Sequence, residues 1–164
     1  MTTVAVSFYD VVLWLHISAV VVGFGSTFAY AVLLTVAPRD TPRAVPGMLA
    51  AIRANDRSVV TIGAVIVLLS GLYLAADSEQ FEEFFVAWGI VAVLLLIGLT
   101  HAFFIPNERR AEELAKRDVE GAGPGDVEWS AEFTAANAKL GKVGALTGLI
   151  IILTVYVMTA KPFL

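Results

Sequence analysis

The sequence VVLWLHISAVVVGFGSTFAYAVLLTV, residues 11–36, decides the fold of the chain. Its 26 residues include no Asp, Glu, Lys or Arg, and His16 is the only side chain among them that titrates near neutral pH. A helix of about 20 apolar residues is long enough to cross the hydrocarbon core of a bilayer. We therefore expect residues 11–36 to form a transmembrane helix that crosses the bilayer with some tilt.

Small and polar residues share one face of this predicted helix. Successive turns place on it His16, Ala19, Gly23, Thr27 and Tyr30. Small residues let a second helix approach closely, and a histidine inside a membrane favours the side that faces protein over the side that faces lipid. This pattern predicts that the face carrying His16 turns towards the interior of a helix bundle.

The whole chain has the composition of a polytopic membrane protein. Of its 164 residues, 58% are hydrophobic and only 16% are charged, which is unusual for a soluble domain of this size. The absence of cysteine excludes disulfides, thiolate metal sites and cysteine nucleophiles. The first ten residues, MTTVAVSFYD, carry no basic segment and no cleavage site before the apolar run, so we expect the first helix to stay in the mature protein.

Three further apolar runs predict an all-α fold, a four-transmembrane-helix up-down bundle in a single domain of residues 1–164. The expected spans are residues 11–36, 58–76, 84–105 and 142–159, with long connectors at 37–57 and 106–141. Pro38 is expected to end the first span, and Pro106 to end or kink the third. The segment NERRAEELAKRD, residues 107–118, is predicted to be a solvated helical extension because its acidic and basic residues lie four apart.

The charges predict an orientation. Of the eleven Lys and Arg residues, ten lie in or at the edge of the two long connectors, and only Lys161 lies on the other side. Because cytoplasmic loops of membrane proteins are rich in Lys and Arg, we expect both connectors in the cytoplasm and both termini outside a bacterial inner membrane. The anionic lipid leaflet explains the arginines without a nucleic-acid partner.

Glycines on the later spans predict where helices pack. Gly98 lies on the third span, and Gly144 and Gly148 form a pair four residues apart on the fourth. Residues of this kind allow close backbone contact in membranes. We expect them to form contacts within one bundle, the alternative being an interface with a partner subunit or a second copy of the chain.

His16 and His101 are the candidate functional side chains within the predicted spans. A histidine inside a membrane can ligate haem or a metal, carry protons, or satisfy itself with a neighbouring hydroxyl or carbonyl. At 1.5 Å per residue, His16 lies about 9 Å and His101 about 27 Å from the outer end of its helix. The two residues therefore cannot ligate one iron, and any haem b or metal site is expected at His16 alone, with His101 a separate polar site.

The segments LWLHISAVVVGFGS and ILTVYVMTAKPFL resemble the bacterial predicted integral membrane proteins of domain-of-unknown-function family 2269. The resemblance covers nearly the whole chain and implies a fold without an established activity. The early Leu-His pair also resembles copper-resistance D-type membrane proteins and haem-carrying membrane protoporphyrinogen oxidases. In the oxidases the first-helix histidine corresponds to His16, but their membrane lysine has no counterpart in the second and third spans.

Two function classes remain open. The first is a non-enzymatic accessory or transporter-like membrane bundle, and the second is a haem- or metal-handling redox protein that uses His16. No pair of carboxylates lies within the predicted spans, which argues against acid–base hydrolysis and against a proton path built from carboxylates. The residues therefore favour a non-enzymatic protein embedded in the lipid bilayer.

Overall fold

The computed structural model describes residues 6–162, and within this range every regular element is helical. Four long helical rods run up and down the bundle, and each is long and apolar enough to cross a membrane: Phe8–Asp40, Pro42–Asp77, Phe84–Gly121 and Ala131–Ala160. The all-α four-helix class predicted from the sequence is confirmed.

Each of the first three rods consists of two α-helices. The first contains α1 (Phe8–Gly25) and α2 (Thr27–Asp40), the second α3 (Val45–Asn55) and α4 (Thr61–Asp77), and the third α5 (Phe84–Leu99) and α6 (Ile105–Gly121). The fourth rod is a single helix, α7 (Ala131–Ala160). A 3₁₀ turn, Pro42–Ala44, precedes α3. A first π turn, Asp56–Val60, joins α3 to α4, and a second π turn, Thr100–Phe104, joins α5 to α6.

The sequence predicted that the first span ends at Pro38, but helix α2 continues to Asp40. Proline lacks the N–H that would bond the carbonyl four residues earlier, which here belongs to Leu34. The side-chain amide of Asn137 on α7 donates to that carbonyl at 2.8 Å instead. The Pro38 carbonyl in turn accepts a 2.9 Å hydrogen bond from the indole of Trp129. Tertiary partners thus replace the lost backbone bond.

The predicted connectors are largely helical and fold into the bundle. Within 37–57, α3 packs against α6, and a buried core joins them to the start of α7: Ala37, Val45, Leu49, Ala111, Ala115, Phe133 and Leu140. The predicted ion pairs on α6 are present, with Arg109 bonded to Glu113 at 3.0 Å and Lys116 to Glu112. The prediction of a solvated extension is wrong for the opposite face, because the alanines at 111 and 115 form an apolar stripe that packs inward.

Some of the glycines lie where two helices are in close contact, and others have no neighbouring helix in the direction of a side chain. A side chain on Gly63 would place its Cβ 2.8 Å from the Cα of Gly23, so α1 and α4 cross there backbone to backbone. Gly148 packs beside the ring of Phe28. The contacts that we expected at Gly98 and Gly144 are not formed among the described residues: a Cβ on either would meet no atom within 4 Å. Small size permits a close approach but does not fix which face of a helix turns inward.

Candidate functional site

Two buried carboxyl groups meet at the end of the bundle that carries the arginines, which we call the basic end. Asp56 begins the first π turn and Glu108 lies in the first turn of α6. Both side chains line the same cavity, where they are close enough to interact. Asp56 is only 3% exposed and Glu108 only 2%, so water does not solvate the two groups.

This pair requires a proton or a cation. Two ionised carboxylates in contact repel each other strongly, and burial adds the cost of desolvating each charge. A hydrogen bond between them forms only when one carboxyl group is protonated. The Oε2 atom of Glu108 is buried without any hydrogen-bond partner among the described residues. The arrangement therefore fits a pair that shares one proton.

The pair lies beside the two π turns: Asp56 begins the first, and Glu108 lies in the α-helical turn that follows the second. They contact each other across the bundle, and single π turns inside α-helices occur frequently at functional sites. Within the first π turn the carbonyl of Asp56 accepts a 2.6 Å hydrogen bond from the Thr61 hydroxyl. The same hydroxyl lies 3.2 Å from Nε2 of His101, which belongs to the second π turn.

A chain of hydrogen bonds from the first rod orients Asp56. The Tyr30 hydroxyl donates to Oδ1 of Asp56 at 3.0 Å. Asn55 donates to the Tyr30 hydroxyl at 2.6 Å and to the Ser26 hydroxyl, at the junction of α1 and α2, at 2.9 Å. The Tyr30 hydroxyl therefore accepts one hydrogen bond and donates another, which fixes its orientation. These bonds leave Glu108 as the less constrained member of the pair.

The neighbouring arginines do not pair with the two carboxyl groups. Arg53 forms an ion pair with Glu112, which is itself buried and also bonded to Lys116. Arg57 is exposed to solvent, which screens its charge. No hydrogen bond joins either arginine to Asp56 or Glu108 in the described part of the chain.

A cavity of about 390 Å³ adjoins the carboxyl pair. Its polar end contains Tyr30, Asp56 and Glu108. The rest of its wall is mainly apolar and includes Phe24, Phe28, Leu49, Val60, Leu96, Phe104, Leu140, Ile151 and Ile152. Along α7 the wall includes Gly141 and Gly144, whose missing side chains leave the space open, and Gly148, which packs beside the ring of Phe28. Gly144 thus contributes volume to a cavity rather than a helix contact.

His16 lies outside this cavity lining, in the contact between α1 and α4. Its Nδ1 is 2.9 Å from the Ser70 hydroxyl, which donates its own proton to the Ile66 carbonyl at 2.5 Å. Gly71 makes room for the ring, since a Cβ there would be 3.2 Å from Cε1 of His16. Ala19 and Gly23 are buried on the same face.

The two histidines do not meet. His16 is bonded to Ser70 and His101 to Thr61, and these two residues of α4 are separated by about 14 Å along the helix axis. His101 is exposed. Within residues 6–162 no cluster of three or more His, Asp and Glu side chains could hold a metal ion. His16 and His101 are therefore separate positions in the bundle.

Sequence reasoning assigned Asp56 and Glu108 to connectors and missed the pair. A pattern was present: residues 45, 49, 52 and 56 follow one helical stripe, and residues 108, 111, 112 and 115 follow another. The apolar members of each stripe mark a buried face, and the acids lie on that same face. That two acids would meet depends on how α3 packs against α6, which neither stripe reveals.

Comparison with protein families gives one match. A family model described as a predicted integral membrane protein, DUF2269, matches residues 10–162. Comparisons with curated proteins and with solved structures give no match.

Proposed function

Since the chain belongs to the DUF2269 family of predicted integral membrane proteins, we propose that it is a non-enzymatic, transporter-like bundle that binds a small amphipathic ligand. The observation that carries this proposal is the 390 Å³ cavity with its mainly apolar wall and its few polar groups. Ligand sites are typically concave and mainly apolar, with a few polar groups that fix the orientation of the ligand. Tyr30, Asp56 and Glu108 supply those groups.

The proposal also covers the orientation of the bundle in the membrane and its role beside a partner subunit. The concentration of Lys and Arg at the basic end supports a cytoplasmic location for that end and an outside location for both termini in a bacterial inner membrane. A ligand in the cavity would then sit near the cytoplasmic side. An accessory role, in which the bundle serves a partner subunit, is the other form of the non-enzymatic proposal.

Binding of a neutral fluorescent probe tests the proposal. N-phenyl-1-naphthylamine brightens in apolar sites, so wild-type protein in lipid nanodiscs should give a saturable signal above that of empty nanodiscs. Gly144→Phe should remove the saturable part because it fills the cavity. Gly98→Phe is the matched control, since Gly98 is exposed and lines no part of this cavity. Equal saturable binding by both variants, or none by wild type, would refute a ligand cavity at this place.

The alternative proposal is haem binding at His16. The small residues beside it, Ala19 and Gly71, support space for a flat ring next to the histidine. His16 could provide one axial ligand only, because His101 lies too far along the bundle. The hydrogen bond between His16 and Ser70 gives the ring a structural role that needs no haem, and this favours the transporter-like proposal.

A further inference from the structure

We infer that Asp56 and Glu108 form an exchange site, in which a hydrophobic organic cation bound in the cavity replaces the proton that the two carboxyl groups share. The inference rests on the proposed function for the cavity itself and adds the chemical class of the ligand and its coupling to protons. It involves no covalent step: one cation enters as one proton leaves, so the charge of the site is conserved.

The first support is the state of Glu108. Its side chain is buried to 98%, it lines the cavity, and its Oε2 has no hydrogen-bond partner among the described residues. A buried oxygen without a partner is unfavourable, and more so when it carries charge. A cationic group in the adjacent cavity would place a positive charge close to this carboxyl group.

The second support is the local charge balance. The charged groups facing the pair come from three places: Arg53 and Arg57 on the second rod, His101 on the second π turn, and Glu112 on α6. Tyr30 faces the pair from α2 as a neutral donor, and the part of α7 that lines the cavity carries no charged residue.

Counting these charges leaves a deficit of one. Asp56, Glu108 and Glu112 provide three carboxyl groups, while Arg53 and Lys116, both bonded to Glu112, provide two positive charges. Arg57 and His101 form no ion pair or hydrogen bond with these three carboxyl groups in the described part of the chain, whereas Lys116, although exposed, is bonded to Glu112. Neutrality in the buried region requires one further positive charge, which is either a proton or a monovalent cation.

The cavity selects an organic cation over a metal ion. A divalent metal requires several oxygen or nitrogen ligands, and no group of three suitable side chains exists within residues 6–162. The volume of about 390 Å³ lies within the range of small-molecule sites. Its aromatic wall, which includes Phe24, Phe28 and Phe104, favours a positive charge through cation–π contacts. The geometry fits an amine, ammonium or phosphonium carrying apolar groups.

Tetraphenylphosphonium provides the test because its charge is fixed at every pH. We expect calorimetric titration of the full chain in nanodiscs to show binding with release of up to one proton per cation, measured in buffers that differ in ionisation enthalpy. Affinity should fall as pH falls, because protons compete for the pair. Glu108→Gln should weaken binding at least tenfold and abolish the proton release. Glu113→Gln, on the exposed face of α6, should change neither.

The outcomes separate this inference from the function on which it rests. Binding of the neutral probe together with unchanged phosphonium binding by Glu108→Gln would overturn the exchange site and leave the cavity proposal intact. If neither the neutral probe nor the phosphonium binds to the wild-type protein, the cavity proposal is refuted. If Glu108→Gln does not fold, phosphonium binding by Asp56→Asn and the pH dependence of binding by the wild-type protein provide the test. Binding that is independent of pH and releases no proton overturns the inference.

Discussion

The side-chain amide of Asn137 donates a 2.8 Å hydrogen bond to the carbonyl of Leu34, the group that Pro38 leaves without its usual helical partner. This bond ties α7 to the last turns of α2 beside the core at the basic end. It allows an apolar helix to run through a proline without an orphaned carbonyl.

The bond between Asn137 and Leu34 predicts a coupled pair of substitutions. Asn137→Ala should lower the free energy of unfolding by about 1–3 kcal/mol, because it strands a partly buried carbonyl. In a Pro38→Ala background the same change should cost less, since the backbone N–H restored at residue 38 can bond Leu34. Denaturation in mild detergent of the four proteins measures the coupling, and equal costs in both backgrounds would show that Asn137 does not compensate for the proline.

The crossing of α1 and α4 predicts intolerance at Gly63. Gly63→Ala should destabilise the bundle by about 1–3 kcal/mol, because the new Cβ would lie 2.8 Å from the backbone of Gly23 and the helices must separate. Gly98→Ala is the control: it meets no atom within 4 Å and should be neutral or slightly stabilising through helix propensity. Thermal melts in detergent that fail to separate the two variants would contradict this helix crossing.

The charge distribution predicts the topology. Fusions of a periplasm-active reporter at Ser78, in the acidic turn between α4 and α5, should be active. Fusions at Gly123, in the turn between α6 and α7, should be silent because that turn belongs to the basic end. The reverse pattern would invert the proposed orientation and place the cavity near the outer surface.

Haem binding, if it occurs, should depend on His16 alone. Because His16 and His101 are separated along the bundle, a bound ferric haem would have one histidine ligand and a high-spin absorption spectrum. His16→Ala should abolish that spectrum and His101→Ala should preserve it. A low-spin spectrum lost in either variant would contradict the separation of the histidines, and protein purified without a chromophore after growth with excess haem precursor would favour the transporter-like proposal.

Fold class and the number of spans were predictable because hydropathy is a local property. Each apolar run is long enough to cross a bilayer whatever its neighbours do, and the DUF2269 resemblance was carried by the residues of the first and last spans. The ion pairs on α6 were predictable for the same reason, since residues four apart on a helix are neighbours in any tertiary setting.

The ends of the helices were less predictable. In the sequence Pro38 predicts the end of a helix. The helix continues beyond it because the side chains of Asn137 and Trp129 donate hydrogen bonds to backbone carbonyls there. The segments after Pro38 and Pro106 read as connectors because charges interrupt their apolar stripes. Those stripes become a packed core only when α3, α6 and α7 come together.

The sequence by itself determined that this chain is a four-helix membrane protein with one basic end, since apolar length and charge act on each segment separately. Only the tertiary structure decided that His16 is bonded to Ser70, that Gly144 lines a cavity, and that Asp56 meets Glu108. The physical reason is that these relationships join residues distant in the chain. Their contacts depend on which helix faces turn towards each other, and the π turn that begins at Asp56 and the one that precedes α6 form within that packing.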